Sequence, residues 1–245
     1  MEWNDDAIGL SVRRHGESGA ILEALTRQHG RHLGLVHGGA SRRIKSLLMP
    51  GNSVAVIWRA RTSENLGSFA VEMRRERAGA LLERRETLIG LNAFAAVARG
   101  VLPEREPHAS IFDAAEILLD AMAVADFAHW GPVFARWESG VLEALGFGLD
   151  LARCAATGST EELCYVSPKT GRAVSRQAGA PYRTKLFELP QFLAHRGGCA
   201  ATIAETAAAL RLTGHFLGAR VLHPQDRPMP AARLRLDELA ARESA

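Results

Sequence analysis

The chain has 245 residues, 47% of them hydrophobic, and a formal net charge of +3. That is enough apolar material for one large domain or two small ones, and far too little charge for a polycation. Three cysteines, Cys154, Cys164 and Cys199, are an odd number in a chain this long and exclude a disulfide framework. The opening MEWNDDAIGL lacks the charged-then-apolar run of a signal peptide, and the alanine-rich stretch 199–210 is too short to span a bilayer. A soluble, reduced, cytoplasmic protein is expected, without a membrane partner.

The first 75 residues read as strands. Ile8, Leu10 and Val12 alternate with Gly9, Ser11 and Arg13, the period-two pattern of a half-buried strand. A turn at His15–Gly19 leads to a second apolar run, Ala20–Thr26, and Gln28-His29-Gly30 turns into a third, Arg31–Val36. Paired glycines (Gly38, Gly39), a basic loop (Arg42, Arg43, Lys45) and a Pro50-Gly51-Asn52 turn follow. Val54, Val56 and Trp58 alternate in a fourth strand that closes in Arg59 and Arg61, and Phe69, Val71 and Met73 in a fifth. Five short strands with glycine-rich turns argue for a small closed or nearly closed barrel.

From Arg77 the period becomes helical. Leu81, Leu82, Leu88, Leu91 and Phe94 predict one helical run ending near Gly100, followed by helices over Ile111–Met122 and Val133–Leu145. A polar, glycine-punctuated stretch from Leu151 to Pro190 reads as an irregular insertion. Cys199–Leu222 and Arg233–Arg242 complete the helices. The fold class is α+β: a barrel over residues 1–78 and a helical domain over 79–245, with the insertion at about 151–190.

Charge is concentrated. Residues 13–45 hold seven Arg or Lys against two Asp or Glu, an excess that steers polyanions to a surface. A basic loop between strands, with glycines that let backbone approach backbone, suits a phosphate chain, although the same residues could be ordinary solvated charge. His32 and His37, beside Arg31 and the basic loop, are candidate further contacts; His15 and His29 fall in or beside turns. Trp58 and Phe69 lie on apolar faces and read as core. Enzyme signatures are missing: there is no GxxxxGK[ST], HExxH, GxSxG or helix-opening GxGxxG. Gly16-Glu17-Ser18-Gly19 has the wrong glycine spacing for a nucleophile elbow. The adjacent Asp5 and Asp6 point to opposite faces of a strand.

A four-ligand zinc site would need two CxxC knuckles. Cys154 and Thr157 stand at the first, Ser175 and Ala178 at the second, so one ligand of four is present. No metal and no cofactor is expected.

The TRQHGRHLGLVHGGASRR block (Thr26–Arg43), PGNSVAVIWRAR (Pro50–Arg61), LEALGFGLDLARCAATG (Leu142–Gly158) and YVSPKTGRAVS (Tyr165–Ser175), with the opening strand from Gly9 to Gly16, resemble the bacterial RecO family in its alphaproteobacterial form. The resemblance covers nearly the whole chain. It implies an N-terminal five-stranded OB-fold barrel and an α-helical C-terminal domain with a zinc-knuckle-like insertion, here lacking most ligands. It implies no enzyme activity, but a cytoplasmic, nucleoid-associated mediator of DNA repair and recombination. Such a mediator binds single- and double-stranded DNA, anneals complementary strands and, with RecR, loads recombinase onto DNA coated by single-strand-binding protein. His37 stands where many family members carry lysine. The DNA-binding candidates are Arg13, Arg14, Arg31, His32, His37, Arg42, Arg43, Lys45, Arg59 and Arg61. The C-terminal tail of single-strand-binding protein, acidic with an apolar end, needs an apolar pocket rimmed by arginine. Arg136, Trp137, Arg211 and Arg220 are candidates, with Trp137 equally readable as core. An OB-fold RNA-binding protein and an unrecognised hydrolase are the alternatives.

Overall fold

The computed structural model describes residues 1–194 and 201–244. It divides into two compact units, Met1–Val124 and Ala125–Ala245.

The first unit is a closed barrel of β1 (Glu2–His15), β2 (Gly19–Thr26), β3 (Gly30–Val36), β4 (Ser53–Arg59) and β5 (Ser68–Arg75) in the order β1-β2-β3-β5-β4. This is the five-stranded OB-fold arrangement. Closure depends on β1, whose first half pairs with β4 (Glu2↔Arg59 through Ile8↔Ser53) and whose second half pairs with β2 (Ala7↔Thr26 through His15↔Gly19). An irregularity between Gly9 and Ser11 bends the strand between its two partners. The strand therefore begins six residues before the alternation at Ile8. Ala20, Leu22, Ala24, Val54, Val56, Trp58 and Phe69 fill the interior with Ala7, as alternation requires. Trp58 and Phe69 are core, as their faces suggested. Ile8 and Leu10 lie outside that cluster yet are buried, on a strand against which a helix packs (α3, below).

Where the sequence read a basic loop, the chain forms a two-turn helix, α1 (Arg42–Leu47), capped by the Ser41 side chain. Gly38 takes a left-handed backbone (φ 67°), and a side chain at Gly39 would strike Ala20, so the glycines serve the turn and the close approach respectively. The expected single helix after Arg77 is two, α2 (Ala78–Glu83) and α3 (Arg85–Val101). Arg84 between them is extended, and the Thr87 hydroxyl donates to the carbonyls of Leu81 and Arg84. With α4 (Ala109–Val124) they share the barrel's compact unit.

A buried arginine ties that unit together. Arg77, 3% exposed, donates to Glu116 (2.5 Å), Asp120 (2.6 Å) and Ser53 (2.5 Å). Asn52 Oδ1 accepts from the backbone N–H groups of Arg77 and Ala78 at 2.8 and 2.9 Å. Burial pushes the Asp120 carboxyl up, but its bonds to Arg77 and Arg75 hold it below the usual range.

In the second unit, α5 (Phe127–Ala144) starts earlier than the sequence indicated and carries Pro132 inside it, so the proline is passed through rather than marking the helix start. The insertion is not irregular. β6 (Leu163–Val166), β7 (Ala173–Ser175) and β8 (Phe187–Glu188) form a sheet in the order β7-β6-β8. Between β7 and β8 lie α6 (Arg176–Gly179) and a 3-10 turn, Ala180–Lys185. After α7 (Gln191–Ala194), α8 (Ile203–Phe216) opens with a Thr202–Glu205 capping box and continues as a π-helical turn, Leu217–Leu222; α9 (Ala231–Glu243) follows. The expected start of α8 at Cys199 lies outside the described residues. Glu138 on α5 and Arg233 on α9, both fully buried, pair at 2.5 and 2.9 Å, and Thr213 on α8 donates to the same carboxylate at 2.5 Å. No helix among the described residues is long and apolar enough to cross a membrane.

Cys154 sits at the knuckle position, 1% exposed. Its sulfur lies 3.5 Å from Ser175 Oγ and accepts the Ser175 N–H at 3.3 Å. Burial pushes the thiol up, but hydrogen bonds from Ser175, Thr157 and Ala156 outweigh it and bring it down to about 6. The hydroxyls at two of the positions where a zinc site would need ligands thus serve the sulfur, and Ala178 has no donor atom. This set does not fit a tetrahedral zinc ion.

Two outcomes are expected. Arg77→Met takes one partner from Glu116 and one from Asp120, which keeps Arg75, and lowers stability by about 2 kcal/mol, read by chemical denaturation. Cys154 is ionised in the fold at a pH where the unfolded thiol is not, so its contribution is full above about pH 9 and fades as pH falls to about 6. The thermal midpoint declines over that range, Cys154→Ala flattens the decline, and chelator leaves the midpoint unchanged.

Candidate nucleic-acid interface

One mouth of the barrel collects basic side chains from β1 and α1. Register places Arg14 opposite Ala20 and Ala20 opposite Val36, so the ends of β1, β2 and β3 lie side by side, about 10 Å across. His37 follows Val36 directly. The loop into α1 is fastened to the β1–β2 turn by Ala40 N–H donating to the Ser18 carbonyl at 3.0 Å. The helix then turns Ile44 and Leu48 toward the barrel interior, which leaves Arg42, Arg43 and Lys45 exposed. Sequence reasoning found these cations but not the helix that holds them, because six residues give too short a run for helical periodicity to register.

Arg13, Arg14, Arg42, Arg43 and Lys45 are exposed, and no carboxylate among the described residues lies within 4.0 Å of any of them. Arg14 donates to the Glu17 carbonyl at 3.1 Å, which is a backbone contact and leaves its charge unneutralised. His37 is exposed beside them, and Arg61 is exposed beyond β4. Removing a phosphate's counterions is the work such unpaired cations are suited to.

Other sequence candidates lie elsewhere or are engaged. Arg31 is bound to Glu23 (2.7 Å), Glu104 (3.3 Å) and the Leu102 carbonyl (3.0 Å), and so serves the fold. Burial pushes Glu23 up, but its bonds to Arg99 and Arg31 hold it below the usual carboxylate range. His32 is buried at 5% beside Trp58, Trp3 and Phe69, and burial pushes its pKa down; it is a core residue, not a surface contact. Arg59 forms a two-pronged pair with Glu2 at 2.9 and 3.0 Å. That pair was legible in principle, since β1–β4 pairing sets Glu2 opposite Arg59. Missed altogether was the ring of Trp3, stacked on His29 at 4.0 Å, with His29 in turn bonded to Asp5 at 2.9 Å.

A cavity of about 530 Å³ on the strands β1, β4 and β5 is a poorer candidate for phosphate. Its lining sets Asp5, Asp6 and Glu72 against only Arg27 and Arg74.

In the second unit, Arg136 donates to the Phe192 carbonyl at 3.1 Å and lies over the Phe192 ring. Trp137 is 2% exposed and packs edge-to-face on Phe134, so it belongs to the core and offers no contact surface. Arg211 is exposed on α8. Arg220 donates to the Lys169 carbonyl at 2.6 Å and rims a cavity of about 160 Å³ formed with Phe147, Leu149, Gly171 and Phe216. Neither Arg136 nor Arg211 lines that cavity, so these arginines do not surround one pocket.

Against known proteins, residues 1–75 match the family model described as Recombination protein O N terminal, and residues 82–227 match Recombination protein O C terminal. The chain is 52% identical over 244 residues to the DNA repair protein RecO of Cereibacter sphaeroides (strain KD131), covering 99% of each chain. It is 53% identical over 235 residues to that of Phenylobacterium zucineum, covering 96% of this chain and 95% of the relative. To that of Rhizobium etli (strain CFN 42) it is 51% identical over 233 residues, covering 95% and 90%. A barrel with exposed cations at one mouth, a helical second unit and relatives alike from end to end converge: the chain belongs to the RecO family of DNA repair proteins.

Proposed function

We propose that this chain is a non-enzymatic mediator of recombinational repair whose residues 1–78 form the DNA-binding domain. The observation that carries the reading is the mouth of the barrel, where five basic side chains from β1 and α1 lie exposed without acidic partners among the described residues. The contacts are Arg13, Arg14, His37, Arg42, Arg43, Lys45 and Arg61. Two complementary strands repel one another through their phosphates, and a surface that displaces counterions from both lowers that barrier. Annealing by this route breaks no covalent bond and needs no nucleophile.

The chain binds single- and double-stranded DNA and, with RecR, loads recombinase onto DNA coated by single-strand-binding protein. Family membership supports these partners. For the acidic, apolar tail of the coating protein, Arg220 supplies a guanidinium at the edge of a small cavity that Phe147, Leu149 and Phe216 help to line. Arg136 and Arg211 are separate candidates for the same tail.

Replacing Arg42, Arg43 and Lys45 together by alanine weakens binding to a single-stranded oligomer. The slope of log affinity against log salt falls by roughly 0.7 per lost contact, about 2 in total. Thermal stability stays nearly unchanged, because exposed charges contribute little to folding. The same variant anneals complementary strands more slowly, bare or coated by single-strand-binding protein. An unchanged slope and an unchanged annealing rate would place the DNA site elsewhere.

A further inference from the structure

The 3-10 turn between α6 and β8 reads Ala180-Pro181-Tyr182-Arg183-Thr184-Lys185, and none of its residues is buried. It is anchored at both ends. Before it, Gly179 lies so close to the Tyr165 ring on β6 that a side chain there would collide. After it, the Leu186 N–H donates to the Arg183 carbonyl at 3.4 Å and the chain enters β8. Pro181 further restricts the backbone. The turn is therefore a fixed projection from a small sheet.

Its tip carries Tyr182 with 60% of its surface exposed. A ring of this size is ordinarily buried, and this one has no ring neighbour and no hydrogen bond among the described residues. A 3-10 helix has three residues per turn, so side chains at i and i+3 eclipse and Lys185 stands in line with Tyr182. Arg183 is adjacent. Neither cation has a carboxylate within 4.0 Å among the described residues. Arg176, by contrast, is matched to Glu162 at 3.6 Å.

We infer that Tyr182, Arg183 and Lys185 form a second nucleic-acid contact, in which the Tyr182 ring stacks on an unpaired base while the two cations take the flanking phosphates. A solvent-facing aromatic among unpaired cations is the combination that single strands use, since every base offers a π-face and every nucleotide a charge. Duplex bases are already stacked and cannot accept the ring. The site is therefore selective for single strands. An acidic protein surface would use the cations but has no need of a rigid, exposed ring beside them. The inference rests on the DNA-binding reading only for the class of ligand, and its residues are remote in sequence from those at the barrel mouth.

The test uses the full chain with a single-stranded oligomer carrying a fluorescent base analogue, and a duplex of the same sequence. Tyr182→Ala lowers single-strand affinity roughly fivefold or more and abolishes quenching of the analogue, whereas Tyr182→Phe retains both. Duplex affinity is unchanged in either variant. Arg183→Ala with Lys185→Ala reduces the single-strand salt slope by roughly 1.4. Retention of native single-strand affinity and quenching by Tyr182→Ala overturns the inference and leaves the patch to a protein partner. Absence of DNA binding by the unsubstituted chain overturns the proposed function as well, so the two failures are distinct.

Discussion

A guanidinium withdrawn from water at the end of β5 sets the terms for the whole of Met1–Val124. Arg77 cannot be buried alone, because an isolated charge costs far more in a low-dielectric interior than it costs in solvent. It therefore fixes where Glu116 and Asp120 must be, and these lie one turn apart on a single face of α4. Its third partner, Ser53, is the first residue of β4, and Asn52 immediately before it captures the backbone on either side of Cα(77). Strand, turn and helix are thereby held to one geometry. α1 is drawn in too, since Asn52 Nδ2 donates to the Ser46 carbonyl at 2.9 Å. The helix that displays Arg42, Arg43 and Lys45 is thus linked through a single asparagine to the buried arginine.

The arginines of the barrel unit accordingly fall into two populations. Arg31, Arg59, Arg75, Arg77 and Arg99 meet carboxylates and shape the fold. Arg13, Arg14, Arg42 and Arg43 meet none among the described residues and leave their charge to whatever approaches. Electrostatic steering depends on the second population, and local charge counts blur it with the first. That is why residues 13–45 stood out in composition while Arg31 within them proved to be a structural ion.

What the sequence disclosed follows from period. β4 and β5 alternate cleanly, with Val54, Val56, Trp58 and Phe69 inward, so their existence and facing were legible. α1 was not, because Ile44 and Leu48 provide just two inward points and the glycines and arginines around them read as loop. The sheet β7-β6-β8 was hidden for a similar reason: its strands are four, three and two residues long, and most of its definition comes from pairing. His32 was misplaced because its neighbours in sequence are basic, whereas its neighbours in space are Trp58 and Phe69. Pairing partners distant in sequence decide such cases, and no local pattern encodes them.

The division of β1 between two partners bears on how the chain is made. Its second half, Ala7–His15, meets β2 within a dozen residues and can form a hairpin as soon as both have emerged from the ribosome. Its first residues, Glu2–Asp6, pair with β4 alone among the barrel strands, and Ser53–Arg59 is synthesised some fifty residues later. This segment is made before the other barrel strands and is among the last of them to find its partner. During that interval Trp3 is uncovered on an open strand edge, the kind of surface that invites association between nascent chains. Asp5, Asp6 and Glu2, interleaved along that same edge, give it the charge that discourages strand-to-strand pairing until β4 arrives.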